Sequence, residues 1–247
     1  MRKISLLLAS LGLCLVGLDL QAAAKIKVLL ITGDDVTPAH NWKEMSSATR
    51  EVLEATDRFE VKVSETLNPL SSKAELANYD LIFLSRYNRK GTLSDEAKAN
   101  LLTFVKDGKG LAVSHLASAS FPEWQEFRKL VGRYWVMGKS GHGPRSVFKV
   151  TIAQKDNAIV KGMADFETDD ELYAKLEGDA PIQTLATADS DFSKKTEPLV
   201  FTLEYGKGRV FHEAFGHDGK AVKTPSVAKI IARGCEWAAT GKVEESK

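Results

Sequence analysis

The first half of the chain alternates between strand-like and helix-like hydrophobic patterns. Three continuous apolar runs and one period-two segment predict four strands, at residues 26–32, 59–63, 79–85 and 111–114. A helix is predicted between the first two strands, at about residues 42–55. Ser94 offers the N-cap of another, whose buried face falls at helical spacing: Ala97, Leu101, Phe104 and Val105. Strands that alternate with helices in this way indicate a mostly parallel sheet.

The second half of the chain is less regular. Alternating segments predict four more strands, at residues 147–152, 181–187, 199–203 and 208–214. Thr224 and Pro225 begin a last helix, whose predicted buried side contains Val227, Ile230, Ile231, Cys235 and Ala238. The predicted fold class is therefore α/β: a three-layer sandwich with a mostly parallel, flavodoxin-like sheet, helices on both faces and antiparallel additions at one edge.

The amino terminus has the pattern of a secretory signal peptide. Arg2 and Lys3 precede an apolar run at residues 4–18, and small residues follow, with cleavage expected after Ala22 or Ala24. We expect residues 1–24 to be this peptide, residues 25–247 to form a single domain, and the protein to be exported to the periplasm or the extracellular space. A lipid anchor on Cys14 is the less favoured alternative because Leu13 is too large for a lipobox. The run is too short for an integral membrane span.

Charge and cysteine content exclude several classes of function. Removing residues 1–24 takes away two basic residues and one acidic residue, which leaves 32 of the 34 basic and 32 of the 33 acidic side chains. This balance gives no reason to expect a nucleic-acid partner. Cys235 is the one cysteine beyond residue 24, which excludes an internal disulfide and a cysteine-based zinc site in the mature chain.

Candidate chemistry lies where predicted strands end, because ligands bind at the carboxyl edge of open parallel sheets. His115 directly follows the fourth strand, in a strand–turn context like that of a nucleophile elbow. An imidazole there is a general base, an electrophile or a metal ligand, or else it caps a helix. His217 follows the last strand in Gly216-His217-Asp218, whereas His212 lies within that strand and is expected to be structural.

Other candidates lie in loops. His40 is in the first crossover loop and His142 in a glycine-rich loop; each could equally be an ordinary polar loop residue. Glu171 belongs to the acidic segment at residues 169–173, which alone is typical of a solvated turn or helix start and, beside histidines, of a ligand or acid/base set. The sequence contains none of the local zinc, P-loop or dinucleotide motifs.

These pieces together resemble the trehalose-utilisation (ThuA-like) family, which has a class I glutamine-amidotransferase-like fold. The resemblance spans most of residues 25–247. It is carried by a first strand followed by His40-Asn41-Trp42-Lys43, by the strand that ends in Ser114-His115, by Gly141-His142, by residues 170–173, and by residues 208–218.

The resemblance implies carbohydrate catabolism beside oxidoreductases that make 3-keto sugars. His115 occupies the place of the amidotransferase cysteine, so glutamine hydrolysis is not expected. By the same resemblance, His217 would face His115 across the carboxyl edge of the sheet. Two or three imidazoles there, with a carboxylate from Glu171 or a neighbouring acid, would suit a zinc-like divalent metal or metal-free acid/base work.

Two functions remain open at this point. The first is an exported sugar-processing hydrolase, lyase or isomerase that acts on a disaccharide, glycoside or 3-keto sugar, with His115, His217 and Glu171 as catalytic residues and a metal on His115, His142 and His217. Six residues would then contact the sugar: His40, Trp42, Arg86, Tyr87, Trp124 and Tyr173. The alternative is a non-catalytic carbohydrate-binding or accessory domain. The sequence predicts no oligomeric state.

Overall fold

The computed structural model of the protein describes residues 24–33, 39–91 and 93–244. The predicted signal peptide therefore lies outside the described residues, apart from Ala24. The described chain forms one nine-stranded sheet in the order β2-β1-β3-β4-β9-β8-β7-β5-β6. Its strands are β1 (Ile26–Ile31), β2 (Phe59–Ser64), β3 (Leu81–Leu84), β4 (Gly110–Ser114), β5 (Ser146–Ile152), β6 (Phe166–Asp170), β7 (Gln183–Ser190), β8 (Lys195–Tyr205) and β9 (Gly208–Glu213).

The sheet has a parallel half and an antiparallel half, as the sequence predicts. Strands β2, β1, β3, β4 and β9 pair in parallel, and β8, β7, β5 and β6 follow in antiparallel pairs. The predicted α/β fold class is confirmed. The sequence patterns missed β6, whose acidic end was expected to be a solvated turn or helix start. Asp170, the last residue of that strand, is instead fully buried.

Helices cover both faces of the parallel half. They are α1 (Trp42–Glu54), α2 (Lys73–Leu76), α3 (Asp95–Lys106), α4 (Gln125–Val131), α5 (Gly219–Val222) and α6 (Pro225–Thr240). Apolar residues of α1 and α6 form one core with one face of the sheet, and those of α3 and α4 form a second core with the other face. Successive strand side chains point to opposite faces, so Val28 and Leu30 enter the first core, and Leu29 and Ile31 enter the second.

The predicted buried faces of α3 and α6 are confirmed, since all their named residues are buried. Gly110 is required to be a glycine by the helix that packs on it. It begins β4, and a Cβ there would lie 2.6 Å from the backbone carbonyl of Ala238, so its missing side chain lets α6 pack directly on the strand. Within the described ranges, no helix is long and apolar enough to cross a membrane.

Candidate metal centre

His115 is placed by the sharp turn at the end of β4. Its φ of 44° lies in the left-handed region that residues other than glycine seldom adopt, and a 3-10 helix over His115–Ala119 begins there. Strained backbone of this kind persists where surrounding structure holds it, often at functional sites. The side chain is fully buried, and Nδ1 lies 2.9 Å from the Ala214 carbonyl oxygen. Because that carbonyl can only accept, Nδ1 carries a proton, so a neutral His115 ring presents the lone pair of Nε2 to its other neighbours.

His217 is placed by the loop that follows β9. Gly216 has a φ of 106°, which favours glycine, and turns the chain so that His217 faces inward. The buried Asp170 carboxylate holds this loop, since it accepts hydrogen bonds from the amides of Gly216 (2.7 Å) and His217 (3.1 Å). It also accepts the amide of Glu171 at 2.8 Å. One carboxylate therefore connects the end of β6 to the loop after β9.

Two further side chains reach the same point. His40 directly precedes Asn41, the N-cap of α1, and its Nε2 lies 3.3 Å from His115 Nε2 and 3.2 Å from His217 Nδ1. Glu171 places Oε2 3.5 Å from both His40 and His115, and Oε1 3.1 Å from His217. Each of these four residues offers one ligand atom within 4.8 Å of the others. We call them the histidine–glutamate cluster: His40, His115, Glu171 and His217.

The donor set fits a transition-metal ion. Three imidazole nitrogens and a carboxylate oxygen are ligands that zinc and related divalent ions prefer. Neighbouring ligands at about 2.05 Å from one ion lie about 2.9–3.3 Å from one another, close to the 3.2–3.5 Å contacts of His40. A ring of hydrogen bonds is a poorer explanation, because one His40 nitrogen faces two other imidazole nitrogens and can donate to only one of them.

The electrostatics of the cluster follow from burial and mutual charge. Burial alone would raise the pKa of Glu171, but the adjacent imidazoles of His115 and His40 outweigh it and hold this pKa well below its usual range. Burial lowers the pKa of His40. For His115 the same burial is outweighed by Glu171 and Asp170, which raise its pKa. The cluster therefore combines an ionised carboxylate with imidazoles that disfavour one another's protonation.

The remaining candidate histidine of the sequence prediction lies beside the cluster. His142 Nδ1 lies 2.7 Å from the Gly143 carbonyl oxygen, to which it donates, and Nε2 lies 3.6 Å from Glu171 Oε1. His142 is not among the four residues whose ligand atoms converge. The Tyr173 ring stacks on both His115 and His142, with its centroid 4.1 Å from that of His115 and 5.8 Å from that of His142. Burial, with the charges of Glu171 and Asp170, raises the pKa of Tyr173 well above its ordinary value.

The remaining predicted sugar contacts are not members of the histidine–glutamate cluster. Arg86 donates to the backbone carbonyls of Thr32 and Glu65, at 2.7 and 2.9 Å, and so fastens the ends of β1 and β2. Trp42 is the half-buried first residue of α1. Tyr87 is half-buried after β3 and close enough to Tyr173 to raise its pKa further. Trp124 lines a different cavity of about 200 Å³, which none of the four residues of the histidine–glutamate cluster line.

His212 and Glu213 are buried at the end of β9. His212 donates from Nδ1 to the Val131 carbonyl oxygen at 2.8 Å, and burial lowers its pKa to about 4, so it is a neutral core residue. The Glu213 carboxylate accepts the amide of Phe215 at 2.8 Å, and burial raises its pKa to about 7. Glu213 thus supports the segment whose Ala214 carbonyl orients His115.

Sequence reasoning missed two residues beside the cluster. The sequence offers Asp170 only as an alternative carboxylate, because its role depends on pairing β6 with a loop 46 residues away. The indole of Trp135, 4.8 Å from the Tyr173 ring and 6.1 Å from the His142 ring, lies outside every predicted element. The available signal was their spacing, since Trp135 lies only seven positions before His142 on one short loop.

Comparison with known proteins agrees with the fold. A family model described as trehalose utilisation (ThuA) matches residues 27–238. A ThuA-like protein of Parabacteroides merdae superposes with a TM-score of 0.79 at 28% identity, over 91% of this chain and 93% of that one. A second, from Bacteroides uniformis, gives 0.70 at 15% identity, over 90% and 96%.

More distant structures share the fold alone. A β-galactosidase of Rahnella sp. R3 gives a TM-score of 0.60 at 18% identity, over 87% of this chain but 32% of that one. No curated protein matches the chain. The family match covers nearly all the described elements, including all four residues of the histidine–glutamate cluster. The chain therefore belongs to the ThuA (trehalose utilisation) family.

Proposed function

We propose that this protein is an enzyme of carbohydrate catabolism that acts on a disaccharide, a glycoside or a 3-keto sugar through a divalent metal bound by the histidine–glutamate cluster. One observation carries the proposal: four ligand atoms from four separate segments converge within 4.8 Å. The family's link to trehalose utilisation supports a sugar as the substrate. The fold itself does not require three imidazoles and a carboxylate to converge, whereas binding of an ion would explain why they do.

The residues present fit the ion in three respects. The Ala214 carbonyl holds the proton of a neutral His115 ring on Nδ1, so that Nε2 is the nitrogen that can bind an ion. The ionised Glu171 supplies negative charge that a cation would balance. Glu171 Oε2 is also buried and has no hydrogen-bond partner within the described part of the chain. A bound divalent ion of this kind polarises a carbonyl oxygen or lowers the pKa of a bound water, as hydrolysis or isomerisation of a keto sugar requires.

The coordination number decides what the site can do. Four protein ligands complete a tetrahedral zinc site and leave no position for a substrate. An ion that accepts five or six donors keeps a position open with the same four residues. His142 Nε2, close to the cluster and outside it, would then accept a hydrogen bond from a sugar hydroxyl.

We propose that the protein does not hydrolyse glutamine and that it is exported from the cytoplasm. By the family resemblance, Ser114-His115 stands where an amidotransferase has its cysteine, and Cys235 is buried on α6. Export rests on the signal-peptide pattern of residues 1–24, with residues 25–247 as the mature domain.

Turnover by the metal-loaded protein tests the proposal. Trehalose, maltose and their 3-keto derivatives are incubated with wild type, with His115→Gln and with Asp57→Asn, a control that changes an exposed acid paired with Lys25 before β2, at the opposite end of the sheet. We expect wild type and the control to turn over at least one sugar, and His115→Gln to lose at least about 100-fold in rate. Full activity of His115→Gln would contradict the proposed catalytic role of the histidine–glutamate cluster. Sugar binding without turnover by the wild type would favour the non-catalytic accessory domain.

A further inference from the structure

Exposure of the site side chains shows where the site opens. The exposed fraction is 0% for His115 and 8% for His40, and rises to 22% for His217 and 32% for His142. His115 and His40 therefore form the floor, and the opening lies beside His217 and His142. A ligand that reaches the cluster must pass those two rings, so the groups around them select it.

An aromatic wall stands on one side of this opening. It consists of the Trp135 indole and the His142 ring, which lie 6.1 Å apart and both approach Tyr173. Its segment is held in place before any ligand arrives. The Trp135 amide donates to the Ser118 carbonyl at 2.9 Å, and two antiparallel bridges, Tyr134–Glu177 and Gly141–Ala174, fasten the segment to the chain after β6.

Charge around the opening disfavours an anionic ligand. Arg145 is engaged on both sides, by Asp169 at 3.2 Å and by Asp218, and Lys220 lies 3.7 Å from Asp169. With Asp170 and Glu171, four carboxylates face two cations. A divalent ion in the cluster would bring this group close to neutrality and leave no surplus positive charge for a phosphate or carboxylate.

We propose that the aromatic wall of Trp135 and His142 is a stacking platform for an uncharged pyranose ring, so that the site takes neutral sugars rather than phosphorylated or carboxylated ones. The apolar C–H face of such a ring packs on an indole, while its hydroxyls reach the imidazoles. Trp135 is thus a substrate-positioning residue at the mouth of the metal centre. The inference rests on the proposed function and specifies its substrate class.

Calorimetric titration of the metal-loaded protein with trehalose, glucose and glucose 6-phosphate tests this. Removing the ring in Trp135→Ala should weaken trehalose binding about tenfold, whereas Trp135→Phe, which keeps an aromatic face, should stay within about threefold of wild type. Trp237→Phe is the matched control, because Trp237 lies on α6 beside the amino end of β9. Glucose should bind at least about tenfold more tightly than glucose 6-phosphate.

Three results would overturn the inference: unchanged binding in Trp135→Ala, glucose 6-phosphate binding as tightly as glucose, or no binding of trehalose or glucose by the wild type. If Trp135→Ala fails to fold, Trp135→Leu, which keeps apolar volume without a ring, gives the same comparison. The metal content of the same samples reports separately on the proposed function, since Trp135 contributes no ligand. Absence of sugar binding by a wild type with full metal content would therefore refute the stacking platform and leave the metal centre unaffected.

Discussion

Substitution of Asp170 by Asn probes the contact that places two residues of the histidine–glutamate cluster. The carboxylate accepts three backbone amides, those of Glu171, Gly216 and His217, at 2.7–3.1 Å. An Asn side chain has one acceptor oxygen, so its amide group must face at least one N–H group. The buried N–H group left without an acceptor costs about 1–3 kcal/mol of stability. The two remaining hydrogen bonds change from charge-assisted to neutral, which costs about 1 kcal/mol each. The lower desolvation cost of a neutral side chain offsets part of this.

We therefore expect Asp170→Asn to lower the free energy of unfolding by about 2–4 kcal/mol, a large part of the 5–15 kcal/mol typical of a domain. Urea denaturation of the metal-free proteins, followed by circular dichroism, measures this without a contribution from bound ions. Asp169→Asn is the matched control, because its partly exposed ion pairs with Arg145 and Lys220 should contribute less than about 1 kcal/mol. Equal stability of the two variants would refute the role given to Asp170.

Two further substitutions test the packing and the electrostatics of the fold. The raised pKa of Glu213, about 7 against 4.5, means that the folded state holds its proton more tightly, so stability falls as pH rises through that interval. Glu213→Gln removes this loss. The free energy of unfolding of the variant, relative to that of the wild type, should therefore rise by about 3 kcal/mol between pH 4.5 and 7, as measured by urea denaturation across this range. A difference between the two proteins that does not change with pH would contradict the burial of an ionisable Glu213. Gly110→Ala places a Cβ 2.6 Å from the Ala238 backbone and should cost about 1–3 kcal/mol, seen as a lower Tm in a thermal melt, whereas an unchanged Tm would show that α6 shifts freely.

The architecture was predictable because it depends on local periodicity. The period-two and helical patterns of the sequence give the strands and helices of the parallel half and place His115 and His217 after their strands. The acidic end of β6 escaped prediction, because its charged residues look solvated unless their partners are known. Burial of Asp170 is stabilised by amides of a loop that follows β9, a long-range contact that no local pattern reports.

The site was predictable only in part, for the same reason. Strand-end position singles out His115 and His217, but it does not distinguish His40, which converges with them, from His142, which lies just outside. Arg86 also follows a strand, yet its guanidinium is occupied by backbone carbonyls. Which polar groups meet depends on loop conformation, and here it depends on a left-handed residue at 115 and a glycine turn at 216.

Metal content after reconstitution tests the central claim most directly. Wild type, His115→Gln, Glu171→Gln and the matched control His142→Gln are dialysed against Zn²⁺, Mn²⁺, Co²⁺ or Ni²⁺, desalted and measured by plasma mass spectrometry. The histidine–glutamate cluster predicts about one ion per chain in the wild type and in His142→Gln, and less than about a tenth of that in the other two. A wild type that retains none of these ions, or a His142→Gln variant that loses as much metal as His115→Gln, would contradict the metal centre described here.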